Sequence, residues 1–183
     1  MHLNTIQPVY FSPTRTSGKI VHAIAEGMNI PVNKEIELTY PTANQEITIR
    51  DTLAIIGVPT YAGRVAPTAL ERLKHLHGDS TPAVLVVLYG NRDYEDALIE
   101  LRDWAKAQGF IPVAGGAFIG EHSYSTAEMP TAAGRPDAAD TEIARNFGKT
   151  IILKLKEFNQ PDEIPPLHVK GNFPYKENNP KTP

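Results

Sequence analysis

Short apolar runs alternate with segments of helical periodicity along most of the chain. Five of the runs have the length of a β-strand, and most of them are apolar at consecutive positions, as in strands buried on both faces. They cover residues 6–11, 35–38, 52–58, 83–89 and 111–119. Because continuous apolar strands are typical of parallel sheets covered on both sides, the pattern predicts an α/β fold.

Four helices are predicted from apolar positions that recur every three to four residues. The first begins near Thr16, the second begins at Pro67 and ends at Gly78, and the others cover about 93–109 and 138–158. Their inward positions are Ile20, Val21, Ile24, Ala25 and Met28; Leu70, Leu73 and Leu76; Ala97, Leu98, Leu101, Trp104 and Ala105; and Ile143, Phe147, Ile151 and Leu155. Proline at a first turn and glycine or asparagine at an end are typical of such bounds.

Alternation of these strands and helices favours a three-layer, doubly wound, five-stranded parallel sheet in the order 2-1-3-4-5. In that order a ligand binds beyond the carboxyl ends of strands 1 and 3. The loops after strands 1, 3, 4 and 5 are therefore expected to converge. Unusual polar, glycine and aromatic residues are concentrated in these four loops, whereas the opposite rim has no comparable cluster.

The first of these loops has the sequence of a phosphate-binding segment. Four hydroxyl side chains lie within six positions, and the N–H groups and positive dipole end of the following helix add to them. They belong to Ser12, Thr14, Thr16 and Ser17. Arg15 is placed to contact the ligand through its side chain or its backbone N–H. A capping turn accounts for one hydroxyl but not for four. Neither the P-loop nor the dinucleotide fingerprint occurs, so FMN fits better than ATP or NAD.

The loops after strands 3 and 4 have the residues expected around a planar ring. Tyr61 and Tyr94 offer aromatic faces, and Gly63 allows a close backbone approach. The full predicted set is Pro59, Thr60, Tyr61, Ala62, Gly63 and Arg64, then Tyr89, Gly90, Asn91, Arg92 and Tyr94. The two arginines either bind an anionic group near the ring or are solvated loop cations. Each loop alone is also compatible with an ordinary surface turn.

Three histidines are candidates for chemistry. His122, beside Glu121 in the loop after strand 5, either transfers a proton to a substrate or hydrogen-bonds its own loop. His75 and His77 have the spacing of a metal pair, but residues two apart on the predicted second helix point in different directions. We therefore expect no metal site.

Composition narrows the class of protein further. The 183 residues include 18 basic and 21 acidic side chains, and the net charge of −3 argues against binding to nucleic acid or to a membrane surface. The absence of cysteine excludes disulfides, thiolate zinc sites and protein-ligated iron–sulfur clusters from this sequence. No apolar run has the length of a membrane span, and we expect a cytoplasmic protein. One domain is expected over 1–158, followed by a proline-rich tail over 159–183 that is neither regular helix nor central strand.

The chain resembles the flavodoxins, and more closely the flavodoxin-like portion of bacterial flavodoxin–ferredoxin fusion proteins, over about residues 5–175. The Ser/Thr-rich loop matches the phosphate clamp of flavodoxins, and Tyr94, four residues after Gly90, matches the aromatic residue that they place against FMN. The fusion proteins are matched by four motifs in the same order: FSPT (11–14), PTYAGRV (59–65), YGNR (89–92) and AFIGEHS (117–123).

In those fusions, a linker resembling GNFPY (171–175) leads into a cysteine-rich domain with two four-iron clusters. The present sequence contains no cysteine. The resemblance therefore implies an electron route that this sequence does not itself contain.

Loops and resemblance together lead to two hypotheses. The first is an FMN-binding electron-transfer protein that shuttles electrons between redox partner proteins, such as a ferredoxin or a reductase. The second is an FMN-dependent NAD(P)H oxidoreductase of the quinone or flavin reductase type, in which Arg64, Arg92 and His122 bind substrate or transfer protons. A phospho-acceptor receiver of the same fold would need clustered aspartates after strand 1, where Ser12 and Thr14 stand instead.

Overall fold

The computed structural model describes residues 3–41 and 45–177. In chain order the elements are β1 (Ile6–Tyr10), α1 (Thr16–Met28), β2 (Ile36–Glu37), β3 (Ile47–Ile49), β4 (Leu53–Tyr61), β5 (Arg64–Val65), α2 (Pro67–Leu73), β6 (Leu76–Gly78), β7 (Thr81–Tyr89), α3 (Ala97–Ala107), β8 (Phe110–Ile119) and α4 (Ala138–Leu155). A short 3-10 turn (Pro161–Glu163) follows. Across these two ranges, no helix is both long and apolar enough to cross a membrane.

The central sheet has the strand order β2-β1-β4-β7-β8, and neighbouring strands in this order are parallel. Ile56 of β4 pairs with Val9 of β1 on one side and with Leu85 of β7 on the other. These strands are the five that the apolar runs predict. The predicted order 2-1-3-4-5 is therefore confirmed.

Helices cover both faces of the sheet. Successive side chains of a strand point to opposite faces, so Ile55 packs in the core beneath α1 and α4, and Ile56 packs in the core beneath α2 and α3. Both side chains are fully buried. This arrangement confirms the three-layer, doubly wound architecture.

Helices α1 and α4 approach each other closely at two glycines. A Cβ atom on Gly27 would overlap the carbonyl group of Arg145, and one on Gly148 would overlap the carbonyl oxygen of Ile24. Only glycine allows these backbones to touch. Gly27 therefore lies inside α1 and allows its contact with α4. The helix is capped at its C-terminal end by Asn29, whose φ of 54° is left-handed.

Two predicted helices have different bounds. Residues Leu76–Gly78 form strand β6 rather than the end of a helix, because they pair in parallel with β3 in a separate two-stranded sheet. Helix α3 begins at Ala97 rather than near residue 93, because the Asp93 side chain accepts a hydrogen bond from the N–H of Glu95, whose φ is 41°. This turn replaces the first helical turn.

The face of α4 also differs from the prediction at one position. Ile143, expected to face the core, is 59% exposed. The buried stripe of the helix consists of Ala144, Gly148, Ile151 and Leu155. The prediction for Ile143 is therefore wrong. The small residue Gly148 lies on the face of α4 that contacts α1.

The tail packs along the domain. Residues 164–177 contain neither helix nor strand, and Ile164 is buried in the core beneath α1 and α4. We call residues 164–176 the C-terminal strap, because they run over α3 towards the loops at the carboxyl edge of the sheet. Residues 178–183 of the predicted tail lie outside the described part of the chain.

Candidate functional site

A cleft open to solvent lies where the loops after β1, β4, β7 and β8 meet. Concave sites of this kind are where small ligands and cofactors bind. The predicted site residues that line it are Thr14, Thr16, Ser17, Pro59, Thr60, Tyr61, Tyr89, Gly90 and His122. The four loops therefore converge as the strand order predicts.

The loop after β1 is held in shape by its own hydrogen bonds. The hydroxyl of Ser12 accepts from the N–H of Gly18 at 3.0 Å, and its carbonyl accepts from the N–H of Arg15 at 3.0 Å. Arg15 adopts a left-handed conformation with φ 64°. Ser12 is buried and stands behind the cleft rather than in its lining, and the Arg15 N–H is already bonded.

Several hydrogen-bonding groups of this loop remain without a partner. The hydroxyl of Ser17 is fully buried and makes no hydrogen bond. Within the described residues, the N–H groups of Thr14, Thr16 and Ser17 also have no acceptor. Donors grouped at a helix N-terminus are the arrangement that binds a phosphate. An anionic group at this point would satisfy them without any lysine.

The loop after β4 forms one wall of the cleft. Tyr61 is 46% exposed and lines the cleft beside Thr60, whose buried hydroxyl has no hydrogen-bond partner in the described chain. The chain then reverses at Ala62 and Gly63, with φ of 51° and 83°, into the short antiparallel strand β5. This tight reversal projects Tyr61 at the tip of the wall.

Arg64, the last predicted residue of this loop, points to a different partner. Its Nε and Nη2 atoms donate to the Glu100 carboxylate at 2.9 and 2.5 Å, and its Cζ lies 4.8 Å from the centre of the Tyr175 ring. The hydrogen bonds to Glu100 raise the pKa of Arg64, so its guanidinium stays charged. The guanidinium is largely buried there and does not belong to the cleft lining.

The loop after β7 forms the opposite wall. Tyr89 lines the cleft, whereas Tyr94 packs edge-on behind it with 5.5 Å between ring centroids. Asn91 has a φ of 60°, and the exposed Arg92 pairs with Glu95. In this structure Tyr89 therefore occupies the position at the cleft that the sequence pattern assigns to Tyr94.

The loop after β8, residues 120–137, closes one end of the cleft. The Nδ1 atom of His122 accepts a hydrogen bond from the N–H of Tyr124 at 3.1 Å, and the ring lies against Gly90. Within the described residues Nε2 has no partner. The far end of the loop is fixed by an ion pair between Arg135 and the buried Asp140.

Other cleft residues were not among the predicted binding set. They are Pro13, Leu88, Gly120, Glu121 and Ser123. Four of them lie in the same four loops as the predicted residues, so loop position is the signal that the sequence offers. Leu88 had none, because a buried leucine near a strand end is usual in any sheet.

His75 and His77 do not lie on a helix. Both contact the Glu46 carboxylate, His75 through Nδ1 at 2.8 Å and His77 through Nε2 at 2.6 Å. These hydrogen bonds lower the pKa of Glu46. The predicted helix at these positions is therefore wrong: His77 in β6 and His75 in the turn before it point to the same carboxylate. Among the residues described, no group of three or more His, Cys, Asp or Glu side chains is arranged to hold a metal.

Comparison with known proteins gives structural matches only. No protein-family profile matches the chain, and no curated protein matches it. A flavodoxin from the domain Archaea matches with a TM-score of 0.50 and 15% identity, over 83% of this chain and 99% of its own. A flavodoxin from Streptococcus pneumonia TIGR4 matches with a TM-score of 0.53 and 14% identity, over 82% and 99%.

The chain has a flavodoxin-like fold. An NADH:FMN oxidoreductase in its apo form matches it as well, with a TM-score of 0.56 and 13% identity, over 88% of this chain and 94% of the oxidoreductase. At these identities the likeness concerns the fold, which both carriers and enzymes share. A function for this chain therefore depends on the residues of its cleft.

Proposed function

We propose that the flavodoxin-like chain binds FMN in this cleft and transfers electrons between redox partner proteins. The observation that carries the proposal is the set of unpartnered donors at the start of α1, including the buried Ser17 hydroxyl, at a cleft walled by Tyr61 and Tyr89. A buried hydroxyl without a partner costs about 1–3 kcal/mol, which a bound anion would recover.

The residues fit the two ends of FMN. Ser17, Thr16 and Thr14 would hold the phosphate through hydroxyl and N–H groups, with the dipole of α1 favouring its charge. Tyr61 and Tyr89 would flank the ring system, as aromatic pairs do with planar ligands. FMN itself supplies one- and two-electron transfer when bound. The protein binds the phosphate, shields the ring and sets the local charge.

The partner is proposed on the resemblance to the flavodoxin–ferredoxin fusion proteins. That resemblance suggests a ferredoxin or a reductase as electron donor or acceptor. The sequence pattern suggests a cytoplasmic location, with residues 1–158 as the FMN domain and 159–183 as a tail. Solved structures of the same fold include flavodoxins, which supports an electron carrier.

Titration of the purified protein with FMN tests the proposal. We expect quenching of flavin fluorescence and a shift of the visible absorbance bands, with a single binding site. Riboflavin, which lacks the phosphate, should bind at least ten-fold more weakly, because the donors of α1 then stay unpaired. Equal binding of the two flavins, or no binding of either, would contradict the proposal.

A second candidate is an FMN-dependent NAD(P)H oxidoreductase acting on a quinone or a flavin. The observation that favours it is His122, which lines the cleft with its Nε2–H free to donate a hydrogen bond to a substrate. Anaerobic mixing of the FMN-loaded protein with NADH or NADPH separates the two candidates. Rapid bleaching without a further protein supports the enzyme, and bleaching only with a ferredoxin or reductase present supports the carrier.

A further inference from the structure

The last described part of the chain reaches the two tyrosine-bearing walls of the cleft. Residues 170–176 of the C-terminal strap contact the loop after β4 and the loop after β7, but not the cleft itself. Residues 90–96, in the loop after β7, belong to no helix or strand. The strap is thus placed to fix their positions.

Asp96 is the centre of this contact. The residue is 2% exposed, and its carboxylate accepts from the N–H of Asn172 at 2.8 Å, from the Asn172 side chain at 3.2 Å and from the N–H of Lys176 at 2.7 Å. Its own N–H donates to the carbonyl of Gly63 at 2.9 Å. One buried residue therefore joins the strap, the loop after β7 and the turn after β4.

Burial opposes the charged form of Asp96. The hydrogen bonds from Lys176 and Asn172 outweigh that cost, and the pKa of the carboxyl is lowered. A carboxylate that accepts only N–H donors is fully satisfied as an anion, and it would leave donors unpaired if it were replaced by a neutral amide. The contact at position 96 therefore requires a carboxylate.

Two lysines of the strap hold the same loop from outside. The Lys170 ammonium pairs with Asp93 at 2.8 Å and lies 4.9 Å from the centre of the Tyr94 ring. Lys176 pairs with Glu95. Since Tyr94 packs behind Tyr89, these contacts support the wall of the cleft from its rear.

The turn after β4 is held by the strap as well. Arg64 donates from Nη1 to the carbonyl of Lys176 at 2.5 Å, while the rest of its guanidinium is bound to Glu100 of α3. The Tyr175 hydroxyl donates to Asp103 at 2.7 Å, which fixes the strap along the same helix. The strap thereby holds both walls of the cleft against one rigid element, helix α3.

We propose that Asp96 and the C-terminal strap position the two walls of the flavin slot, so that the site is formed before the cofactor binds. This inference rests on the proposed function. Ordering of loops that precedes binding does not weaken binding, whereas ordering that accompanies it does. Asp96 is thus a positioning residue that acts through Tyr61 and Tyr89, without contact to the ligand.

The variant Asp96→Asn tests the inference in the full chain. It keeps the size of the side chain but sets an amide NH₂ group against an N–H donor of the strap. Asp162→Asn is the matched control, because Asp162 is an exposed carboxylate of the same tail and lines a different groove. We expect the FMN dissociation constant to rise about ten-fold in Asp96→Asn and to stay unchanged in the control.

The visible circular dichroism of bound FMN separates positioning from a purely structural role. Movement of the walls changes how the ring is held, so we expect altered visible bands for Asp96→Asn at saturating FMN, at a temperature where both proteins are folded. Native affinity together with native bands would overturn the inference. If Asp96→Asn does not fold, the double variant Lys170→Ala/Lys176→Ala replaces it, with Lys74→Ala/Lys149→Ala as its equal-charge control.

Hydrogen exchange of the cofactor-free protein makes this test independent of FMN binding. We expect faster exchange of amides at residues 62–64 and 91–96 in Asp96→Asn, but not in Asp162→Asn. If wild-type protein fails to bind FMN while these amides exchange faster in Asp96→Asn, the proposed function fails and the positioning role stands. If the amides are unchanged, the positioning role is refuted whether or not FMN binds.

Discussion

The hydroxyl of Ser12 accepts a hydrogen bond from the N–H of Gly18 at 3.0 Å, six residues further along the chain. It thereby satisfies one of the free N–H groups at the start of α1, as an N-cap side chain does. The neighbouring hydroxyl of Ser17 makes no such bond. We therefore expect the two serines of this loop to have separate roles, one in the fold and one towards a ligand.

Replacement of each serine should separate these roles. Ser12→Ala leaves the Gly18 N–H unpaired, and we expect a loss of about 1–2 kcal/mol in the free energy of unfolding. Ser17→Ala removes a buried hydroxyl that has no partner, so stability should be unchanged or slightly higher. Its FMN dissociation constant should rise about 10–100-fold, the worth of a hydrogen bond to a charged group.

Denaturant unfolding of the cofactor-free variants and FMN titration measure the two effects. Lys149→Ala, a change on the exposed face of α4, serves as the control for both measurements. A stability loss for Ser17→Ala equal to that of Ser12→Ala would show that its hydroxyl has a structural partner after all. The assignment of Ser17 to the phosphate would then be wrong.

The contact between α1 and α4 makes a second prediction. Glycine to alanine inside a helix ordinarily stabilises by about 1 kcal/mol. At Gly148 the added methyl group would overlap the Ile24 carbonyl oxygen, so we expect Gly148→Ala to destabilise by about 1–3 kcal/mol instead. Thermal unfolding of Gly148→Ala, compared with that of Lys149→Ala one position further along the helix, shows whether stability falls or rises. A gain in stability would mean that the two helices separate without cost.

The sheet and the convergence of four loops were predictable from the sequence for a physical reason. Strands such as 83–89 are apolar at every position because both of their faces are covered, which is typical of parallel sheets. Once the order of such strands is chosen, the positions of the loops at their carboxyl ends follow. The lining of the cleft by Ser17, Tyr61 and Gly90 results from that geometry.

The remaining features depend on partners distant in the chain. Leu76 continues the helical spacing of Leu70 and Leu73, yet it lies in a strand because it pairs with Ile47. Arg64 is drawn from the cleft by Glu100, which is 36 residues away. Local periodicity contains no information about such pairings, so tertiary contacts overrode it.

The ion pair between Arg64 and Glu100 gives a third prediction. Both side chains are largely buried, at 16% and 8% exposure, and the carboxylate also accepts from the N–H of Val65. Glu100→Leu would leave a buried cation without its partner, and we expect a loss of about 3–5 kcal/mol. The double variant Arg64→Met/Glu100→Leu should recover part of that loss. Additive effects in the double-mutant cycle would contradict coupling between the two residues.

Acid pH should act through Asp140. Hydrogen bonds from Arg135 hold the pKa of this carboxyl below its usual value, despite its burial. A carboxyl whose pKa is lower in the folded state contributes stability above its unfolded pKa of about 4, and that contribution is lost as the pH falls through the folded value. Asp140→Asn should therefore be less stable than wild type at pH 7, with a difference that narrows below about pH 4. Urea unfolding across this range measures it, and a constant difference would exclude the linkage.

His122 provides the prediction that separates the two candidate functions at one residue. Its Nδ1 accepts from the N–H of Tyr124, two residues on, and asparagine makes the same bond through its side-chain oxygen. His122→Asn therefore keeps the loop and removes Nε2, whereas His122→Ala removes both. If the Nε2–H of His122 hydrogen-bonds a substrate, the asparagine variant should bind FMN normally and lose at least ten-fold in NAD(P)H-dependent turnover. If His122 only supports the loop, the asparagine variant should behave as wild type and the alanine variant alone should lose FMN affinity. Turnover and FMN titration of the same three proteins decide between these outcomes.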